Sequence, residues 1–411
     1  MQEKNIYFYI VIPSLALIVA EVLYCQIFRK RYISFAESIA NFGTALGNQT
    51  VNILVMLGVY VVYSWIWTNF RVFTIELNWW TFVLLLIGVD FVFYWVHRWG
   101  HAINIMWAAH SPHHSAEEMN FLVAVRASVT QRLSSFCFFW VLAVAGFRPE
   151  DIYAVVAIHL FIAFLHHTEV VRTLGPIEWF FTTPSHHRVH HGINPQYLDR
   201  NFGEFLIIWD RMFGSFEKER EKVVYGILDH PKSWNPIFIN FHYFIVLWRN
   251  AVAAPFWWDK IRIWFMPAGW RPRGLPQFDK PVIHSESQVK RYRPVRFANA
   301  KIYLFIQCGL GFLLMLGIIS NVFAWSAPYK WIGAGLLWWQ IINWGGILEA
   351  REWVVVSEPV RAVVTGVAIL IFGDLLVTSI PAVSIVGAIT LYSTIWPLLF
   401  FRPDSPRLAT V

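Results

Sequence analysis

Three short histidine runs mark the middle of this chain: HRWGH at 97–101, HSPHH at 110–114 and HHRVHH at 186–191. A further pair opens at His166, and together these groups hold most of the 15 histidines in the sequence. Imidazole nitrogen is a preferred ligand of first-row metals such as iron, copper and zinc. Because one tetrahedral zinc ion needs four ligands, this set is large enough for two ions. The sequence therefore predicts a dinuclear metal site.

The spacing within each run indicates which histidines can share an ion. Residues four apart lie on one face of a helix, so we expect His97 and His101 to point the same way. We expect His110 and His113 to share a face at i, i+3, whereas His113 and His114 diverge by about 100° on a helix, so neighbouring histidines can serve different ions. The same pattern is expected at 187, 190 and 191. Pro184 before the third run and Gly192 after it predict the start and stop of a short helix. The candidate ligands in the three runs are His97, His101, His110, His113, His114, His187, His190 and His191.

Asp90 continues the helix face of His97 and His101 toward the preceding apolar run. A charged residue inside a membrane span costs about 3 kcal/mol or more, so we expect Asp90 to have a partner. Ligating histidines commonly donate their second N–H to a carboxylate, and we expect Asp90 to accept from one of them. His186 stays open, since it can share a face with His190. The isolated histidines are expected to be hydrogen-bonded structural residues; they are His159, His230, His242 and His284.

The composition is that of a membrane protein. The chain has 411 residues, of which 57% are hydrophobic and only 14% charged. Its 23 tryptophans and 15 tyrosines are typical of proteins whose aromatic rings lie at the level of the lipid headgroups. The net charge of +7 suits anionic membrane surfaces, and no basic soluble module indicates nucleic-acid binding. We therefore predict an all-α, multi-span helical bundle.

The first apolar run, at 6–27, is about as long as the ~20 residues that cross a bilayer. The basic triplet at 29–31 follows it and predicts a cytoplasmic end. Two further spans are expected near 51–68 and 79–96, so the first two histidine runs are placed at the cytoplasmic face. The runs at 121–146 and 151–167, separated by a turn-like FRPED, predict a helical hairpin that enters and leaves the membrane on the same face.

The stretch from 171 to 300 has no apolar run long enough to span and is predicted to be a cytoplasmic cap. Within it, residues 242–265 fit a helix lying in the membrane interface. A helix packed on the core of the cap fits equally well. Four apolar runs follow and predict two hairpins, with Arg351, Glu352, Glu358 and Arg361 between the second and third runs; these runs lie near 302–324, 330–348, 361–379 and 381–401. The total is about nine spans.

We therefore expect three parts: N-terminal membrane spans at 1–78, a catalytic domain with its cytoplasmic histidine-rich cap at 79–300, and C-terminal membrane spans at 301–411. All-histidine ligation permits zinc, copper or iron. A structural zinc would need fewer ligands and no membrane setting. A site at the mouth of a helical bundle, open to lipid on one side, instead favours oxidation of a lipid C–H bond by iron and O₂.

The three runs resemble the histidine boxes HxxxH, HxxHH and HxxHH of the fatty acid hydroxylase and sterol desaturase superfamily of membrane diiron oxygenases. The segments GVDFVFYWVHR, NIMWAAHSPHHSAEEMN and FLIIWDRMFGSFE are similar, in the same order, to those of the alkylglycerol monooxygenases, a family within it. The similarity covers roughly residues 70–270 and extends loosely to the ends. One departure is visible: an acidic residue often follows the second histidine of the first box, whereas here Ala102 does.

The resemblance implies that the eight histidines of the runs bind two iron ions and that His167 is a further metal ligand. It also implies functional roles for Asp90, Asn120 and Asp210, which stand at family positions. The implied substrate is a membrane lipid, an alkylglycerol, which is hydroxylated by O₂ at the carbon next to the ether oxygen and yields a fatty aldehyde and glycerol. The implied electron donor is tetrahydrobiopterin, recycled by an external system.

Two alternatives stay open. One is a sterol or fatty acyl hydroxylase or desaturase of the same superfamily that receives electrons from a cytochrome or ferredoxin. The other is a histidine-rich metal transporter, which is disfavoured because transporters place their ligands at the bilayer midplane between internal repeats. In every case the expected location is a multi-pass membrane protein, in the endoplasmic reticulum if the chain is eukaryotic and in the inner membrane if it is bacterial.

Overall fold

The computed structural model describes residues 6–277, 280–294, 297, 299–320, 327–372 and 380–401. In these ranges the regular secondary structure is helical, with isolated bridges and no extended strand. The all-α prediction is confirmed. The helices are α1 (Ile6–Ile27), α2 (Phe35–Phe70), α3 (Trp79–Ala102), α4 (Asn104–His114), α5 (Phe121–Ala124), α6 (Gln131–Phe136), α7 (Trp140–Ala145), α8 (Pro149–Leu165), α9 (Pro184–His190), α10 (Ile208–Met212), α11 (Pro236–Ala253), α12 (Trp257–Arg262), α13 (Ala300–Ser320), α14 (Ala327–Leu348), α15 (Val354–Phe372) and α16 (Ile380–Phe400).

Five helices of the described part are long and apolar enough to cross a membrane. The chain is therefore a multi-pass membrane protein, as predicted. The total of about nine spans and the cytoplasmic face stay predictions. These five segments are Ile10–Ile27, Phe35–Phe70, Trp79–Ala102, Ala300–Ile319 and Val354–Ile371.

The second helix is longer than its apolar run, because α2 begins at Phe35 and not near residue 51. Its first half, FAESIANFGTALGNQ, has a polar face that hydropathy does not recognise as part of a span. In the structure that face is buried: Asn41, Thr44 and Asn48 are each at most 2% exposed. Burial against protein, not lipid, is what extends this helix.

The first arm of the predicted hairpin is not one continuous helix, and this expectation was wrong. Residues 121–146 form the three short helices α5, α6 and α7. The break between α5 and α6 is held by hydrogen bonds to α4. Arg126 donates to Pro112 O (2.9 Å) and to Ser115 Oγ (2.7 Å), and Ser128 Oγ donates to Ala109 O (2.6 Å). Buried side-chain bonds to α4 replace helical bonds along this stretch.

The chain segment predicted to lie in the interface forms α11 and α12, separated at Pro255. One face packs inward, with Tyr243, Leu247 and Ile263 in a common buried cluster. The opposite face leaves Trp248 63% exposed and Trp257 67% exposed. The inner face of the segment thus packs against Ala108 of α4, and its outer face is apolar. A position in the membrane interface stays a prediction.

Two compact units divide the chain, one made of residues 1–34, 51–231 and 240–290 and the other of 35–50, 232–239 and 291–411. The second unit contains the four C-terminal helices, as predicted. Glu358 and Arg361, expected between two spans, instead lie within α15, and both are buried. They form an ion pair of 2.6 Å, and Asn343 and Tyr303 donate to the same carboxylate. A buried charge pair of this kind requires such satisfied bonds. The division at residues 78 and 300 stays a prediction.

Candidate metal centre

Four elements of the first unit bring the histidines together: the C-terminal half of α3, α4, the turn after α8, and α9. The short helix α9 begins at Pro184, in the first-turn position that suits proline, and Gly192 follows it. The predicted start and stop are confirmed. Each of these elements presents its histidines inward, and all nine predicted ligands are buried, at most 8% exposed.

The nine histidines form two groups, and within each group the nearest ring nitrogens all lie within 4.8 Å of one another. Adjacent histidines do fall into different groups, as the helical spacing predicted. The expected pairing of His110 with His113 was wrong, because His110 groups with His114, four residues on. The first group is His97, His101, His110, His114 and His190. The second group is His113, His167, His187 and His191.

The Nε2 atoms converge in both groups. In the first group His110 Nε2 lies 3.0 Å from those of His97 and His114. In the second, His187 Nε2 lies 2.9 Å from that of His167 and 3.1 Å from that of His191. Two nitrogens bound at right angles to one ion, each about 2.1 Å away, are about 3.0 Å apart. The spacing therefore matches that of nitrogens that share an ion.

Four of the Nδ1 atoms face outward and meet backbone carbonyls. His97 Nδ1 donates to Phe202 O (2.8 Å), and His190 Nδ1 donates to Arg200 O (3.0 Å). A carbonyl only accepts, so the proton lies on Nδ1 and the Nε2 atom carries a lone pair. The same pattern holds in the second group, where His113 Nδ1 donates to Arg126 O and His167 Nδ1 to Ala163 O.

Lone pairs that face one another at about 3 Å cannot be hydrogen-bonded to each other, and they favour a cation between them. Burial adds to this. It lowers the pKa of His113 to about 4 and, with the neighbouring histidines, the pKa of His110, His114, His187 and His191 well below the usual value. The rings are therefore neutral at physiological pH, which is the form that binds metal. The donor set fits two metal ions.

A cavity of about 130 Å³ opens beside both groups. Its apolar wall comes from α3 and α8, and two histidines of each group reach it: His97 and His110 from the first, His113 and His167 from the second. Glu204 is the carboxylate in its lining. The cavity thus places an apolar surface directly against the predicted metal ligands.

Comparison with known proteins agrees with this geometry. A family model described as fatty acid hydroxylase matches residues 82–215. An alkylglycerol monooxygenase from Xenopus tropicalis is 36% identical over 342 residues, which cover 80% of this chain and 73% of the relative. The chain belongs to the alkylglycerol monooxygenase family. The relative from Homo sapiens is 38% identical over 312 residues (73% of this chain and 67% of the relative), and that from Danio rerio 40% over 269 residues (63% and 58%). No solved structure matches the chain.

Membership in the alkylglycerol monooxygenase family confirms the prediction of an oxygenase. It leaves open what each residue of the site does. Asp90 does not make the expected hydrogen bond to a candidate ligand. Its carboxylate accepts from His159 Nε2 (2.8 Å), from the backbone N–H groups of Phe205 (3.0 Å) and Leu206 (3.1 Å), and from Trp209 Nε1 (2.8 Å).

Hydrogen bonds through the segment 202–206 perform part of the role that was expected of Asp90. Asp210 accepts from the N–H of Gly203 (2.7 Å), and the carbonyl of that same peptide unit, Phe202 O, accepts from His97. Burial raises the pKa of Asp210 to about 6, against the hydrogen bonds that lower it. A Cβ on Gly203 would lie 2.6 Å from Leu206 O and 2.8 Å from the Asp210 carboxylate. Only glycine permits this close approach.

Asn120 lies at the N-terminus of α5. Its Oδ1 accepts from Leu122 N (3.1 Å), and its Nδ2 donates to Tyr32 O (2.8 Å) and toward the Glu118 carboxylate (3.5 Å). These bonds cap a short helix and tie it to the end of the first span. Asn120 is not among the residues that line the cavity. His186 is buried but belongs to neither group, and burial lowers its pKa to about 4.

Gln131 and Glu204 are residues of the cavity lining that sequence reasoning missed. Gln131 Nε2 lies 3.2 Å from His110 Nδ1, and Gln131 Oε1 has no partner although it is buried. Turning the amide by 180° places the oxygen as acceptor for His110 Nδ1–H. Glu204 is the other, and burial, followed by Asp90 and Asp210, raises its pKa well above the usual value. The sequence signal that could have identified Glu204 is its acidic side chain in the apolar stretch NFGEFL.

Proposed function

We propose that this protein is a membrane diiron monooxygenase that cleaves the ether bond of alkylglycerols. The hydroxylated carbon is the one next to the ether oxygen, and the products are a fatty aldehyde and glycerol. The observation that supports this proposal is the pair of converging histidine groups that border one apolar-walled cavity in a member of this family. The candidate ligands of the two ions are the nine histidines of those groups.

The chain's own residues supply binding, orientation and exclusion of water. Phe93, Val96, Leu160 and Phe164 form the apolar wall, which suits an alkyl chain. At about 130 Å³, the cavity is smaller than the roughly 300–1,000 Å³ of typical ligand pockets. It therefore encloses the reacting segment of a long lipid, and the remainder extends outside. A dry, fixed position beside the metal centre is what the reaction needs from the protein.

The implied metal supplies the oxidation chemistry. Bound by the histidine groups, iron would use O₂, two electrons and two protons to replace a C–H bond with a C–OH bond, and the second oxygen atom would leave as water. The ether oxygen stabilises electron deficiency at the adjacent carbon, so that carbon reacts preferentially. Its hydroxylated form is a hemiacetal, which collapses to an aldehyde and an alcohol without a further catalytic group.

Tetrahydrobiopterin is proposed as the electron donor, with an external system that regenerates it. We place the site at the cytoplasmic face, because the basic triplet at 29–31 and the order of α1, α2 and α3 bring His97 to that side. The membrane would be the endoplasmic reticulum in a eukaryote and the inner membrane in a bacterium. The second candidate is a sterol or fatty acyl hydroxylase or desaturase, which the match to the fatty acid hydroxylase model favours at a coarser level.

Product analysis tests the proposal. Purified protein, loaded with iron in detergent or nanodiscs, is incubated with a radiolabelled 1-O-alkylglycerol and O₂, with and without tetrahydrobiopterin. We expect labelled fatty aldehyde only when the pterin is present, and none from the variant His114→Ala. Hydroxylation of a sterol or a free acyl chain with a cytochrome donor, with no aldehyde from the ether lipid, would replace this function with the second candidate.

A further inference from the structure

One member of the second histidine group, His187, differs from His113 and His167 in its outer nitrogen. His113 and His167 in the same group donate their Nδ1 protons to backbone carbonyls. His187 Nδ1 is buried and has no hydrogen-bond partner. The Nε2 atom of His187 lies 2.9 Å from that of His167 and 3.1 Å from that of His191, and only His167 has two neighbours as close in this group. A central ligand therefore lacks the acceptor that would fix its tautomer.

Glu204 is the group that faces this nitrogen. Its Oε2 atom is buried and has no partner, and it lies 3.9 Å from His187 Nδ1. Its Oε1 atom lies 3.8 Å from His97 Nδ1, which already donates to Phe202 O. An unpaired donor and an unpaired acceptor thus face each other, about 1 Å beyond hydrogen-bond distance. Both oxygens meet the Nδ1 side of the rings, so Glu204 is not placed as a further metal ligand.

The backbone holds Glu204 firmly in this position. Asp210 accepts from the N–H of Gly203 on one side, and Asp90 accepts from the N–H of Phe205 on the other. His166 Nε2 donates to Glu204 O at 2.7 Å. Residue 204 is therefore fixed by bonds on both sides, and only its side chain is without a partner. A shift of about 1 Å by the side chain would bring Oε2 within hydrogen-bond distance of His187 Nδ1.

We infer that Glu204 is a positioning residue of the metal centre, which accepts the Nδ1–H of His187 when an ion binds to the second histidine group. The carboxyl group then fixes His187 with its Nε2 lone pair directed at the ion. Acceptors of this kind change metal affinity by about 10–100-fold when they are removed. The inference rests on the proposed function, because it assigns a role toward the ion that the second group would hold.

The test compares two variants of the full-length protein. Glu204→Leu removes the acceptor at similar volume, and Glu204→Gln retains an oxygen that can accept from His187. Metal-free protein is titrated with iron(II) under anaerobic conditions, and the ions bound per chain and their affinities are measured by competition with a chelator. We expect wild type and Glu204→Gln to bind two ions, with affinities within about threefold. In Glu204→Leu we expect the weaker ion to bind about 10–100-fold less tightly.

Thermal unfolding of the metal-free proteins separates positioning from a structural role. Because the Glu204 carboxyl group makes no hydrogen bond, its removal should not lower the melting temperature of metal-free protein, and only the rise on adding iron should shrink. The inference would be overturned if Glu204→Leu bound two ions with the affinities of the wild type, or if both variants lost iron affinity equally. A lowered metal-free melting temperature in Glu204→Leu would also overturn it. If wild type itself binds fewer than two ions, the dinuclear function fails instead.

Discussion

The substitution Asp90→Asn tests how the hydrogen bonds of the Asp90 carboxylate stabilise the protein. Each oxygen of Asp90 accepts two hydrogen bonds, Oδ1 from His159 and Phe205 N, and Oδ2 from Leu206 N and Trp209 Nε1. In asparagine one of these oxygens becomes an NH₂ group, which cannot accept. Two buried donors then lose their acceptor, whichever way the amide turns. At about 1–3 kcal/mol for each unsatisfied donor, the free energy of unfolding should fall by about 2–6 kcal/mol.

The matched control removes a donor and keeps the carboxylate. Trp209→Phe deletes one hydrogen bond to a charged group and should cost about 1.5–3 kcal/mol. In the double variant the new NH₂ group can face the vacant position, so only Leu206 N stays unsatisfied. The two effects should therefore be less than additive, by about 1 kcal/mol or more. Unfolding is followed in mixed micelles titrated with sodium dodecyl sulfate.

Additive effects, or an Asp90→Asn protein as stable as wild type, would refute this account of Asp90. Kinetics provide a second check. Because Asp90 positions the segment 202–206 and does not line the cavity, Asp90→Asn should lower kcat more than it raises KM for the lipid. A change in KM alone would indicate contact with the substrate.

Three further predictions concern the site and its orientation. His191→Ala should reduce bound iron from two ions to one per chain by elemental analysis and abolish aldehyde formation; two retained ions would contradict the grouping. Gln131→Leu removes the acceptor proposed for His110 and should lower iron affinity about 10–100-fold in chelator competition, whereas Gln131→Glu should retain it. In a cysteine-free background, Pro195→Cys and Lys280→Cys should react with impermeant reagents from the cytoplasmic side, and Glu76→Cys should react from the other side. Labelling of all three cysteines from one side would contradict the topology.

The helices that cross the membrane were predictable because length and apolarity suffice to recognise them. The runs at 6–27 and 79–96 became α1 and most of α3. The first half of α2 was not predictable in this way, since its asparagines and threonine are buried by segments far away in sequence. The charges of Glu358 and Arg361 were misplaced for the same reason: each satisfies the other inside α15. Hydropathy treats every polar residue as if it had no partner.

The candidate ligands were predictable because the histidines are concentrated in three runs, and histidines four residues apart share a group whereas those three apart do not. The groups that accept from the outer ring nitrogens of these histidines were not predictable, because most of those groups are backbone carbonyls. Phe202 O and Arg200 O accept from His97 and His190, and nothing in those side chains indicates it. The identity of a residue carries no information about where its carbonyl points. Gln131 and Glu204 were not predicted for a related reason, since neither lies at a recognisable spacing from the histidines.

The segment 202–206 connects buried carboxylates to histidines through single peptide units. The unit between Phe202 and Gly203 donates its N–H to Asp210 and accepts from His97 at its carbonyl. The unit between Glu204 and Phe205 does the same between Asp90 and His166. A negative charge at the N–H end polarises the peptide and strengthens the carbonyl as an acceptor. Asp210 can therefore act on His97, a candidate ligand, without touching it, whereas the peptide bonded to Asp90 leads to His166, which belongs to neither histidine group.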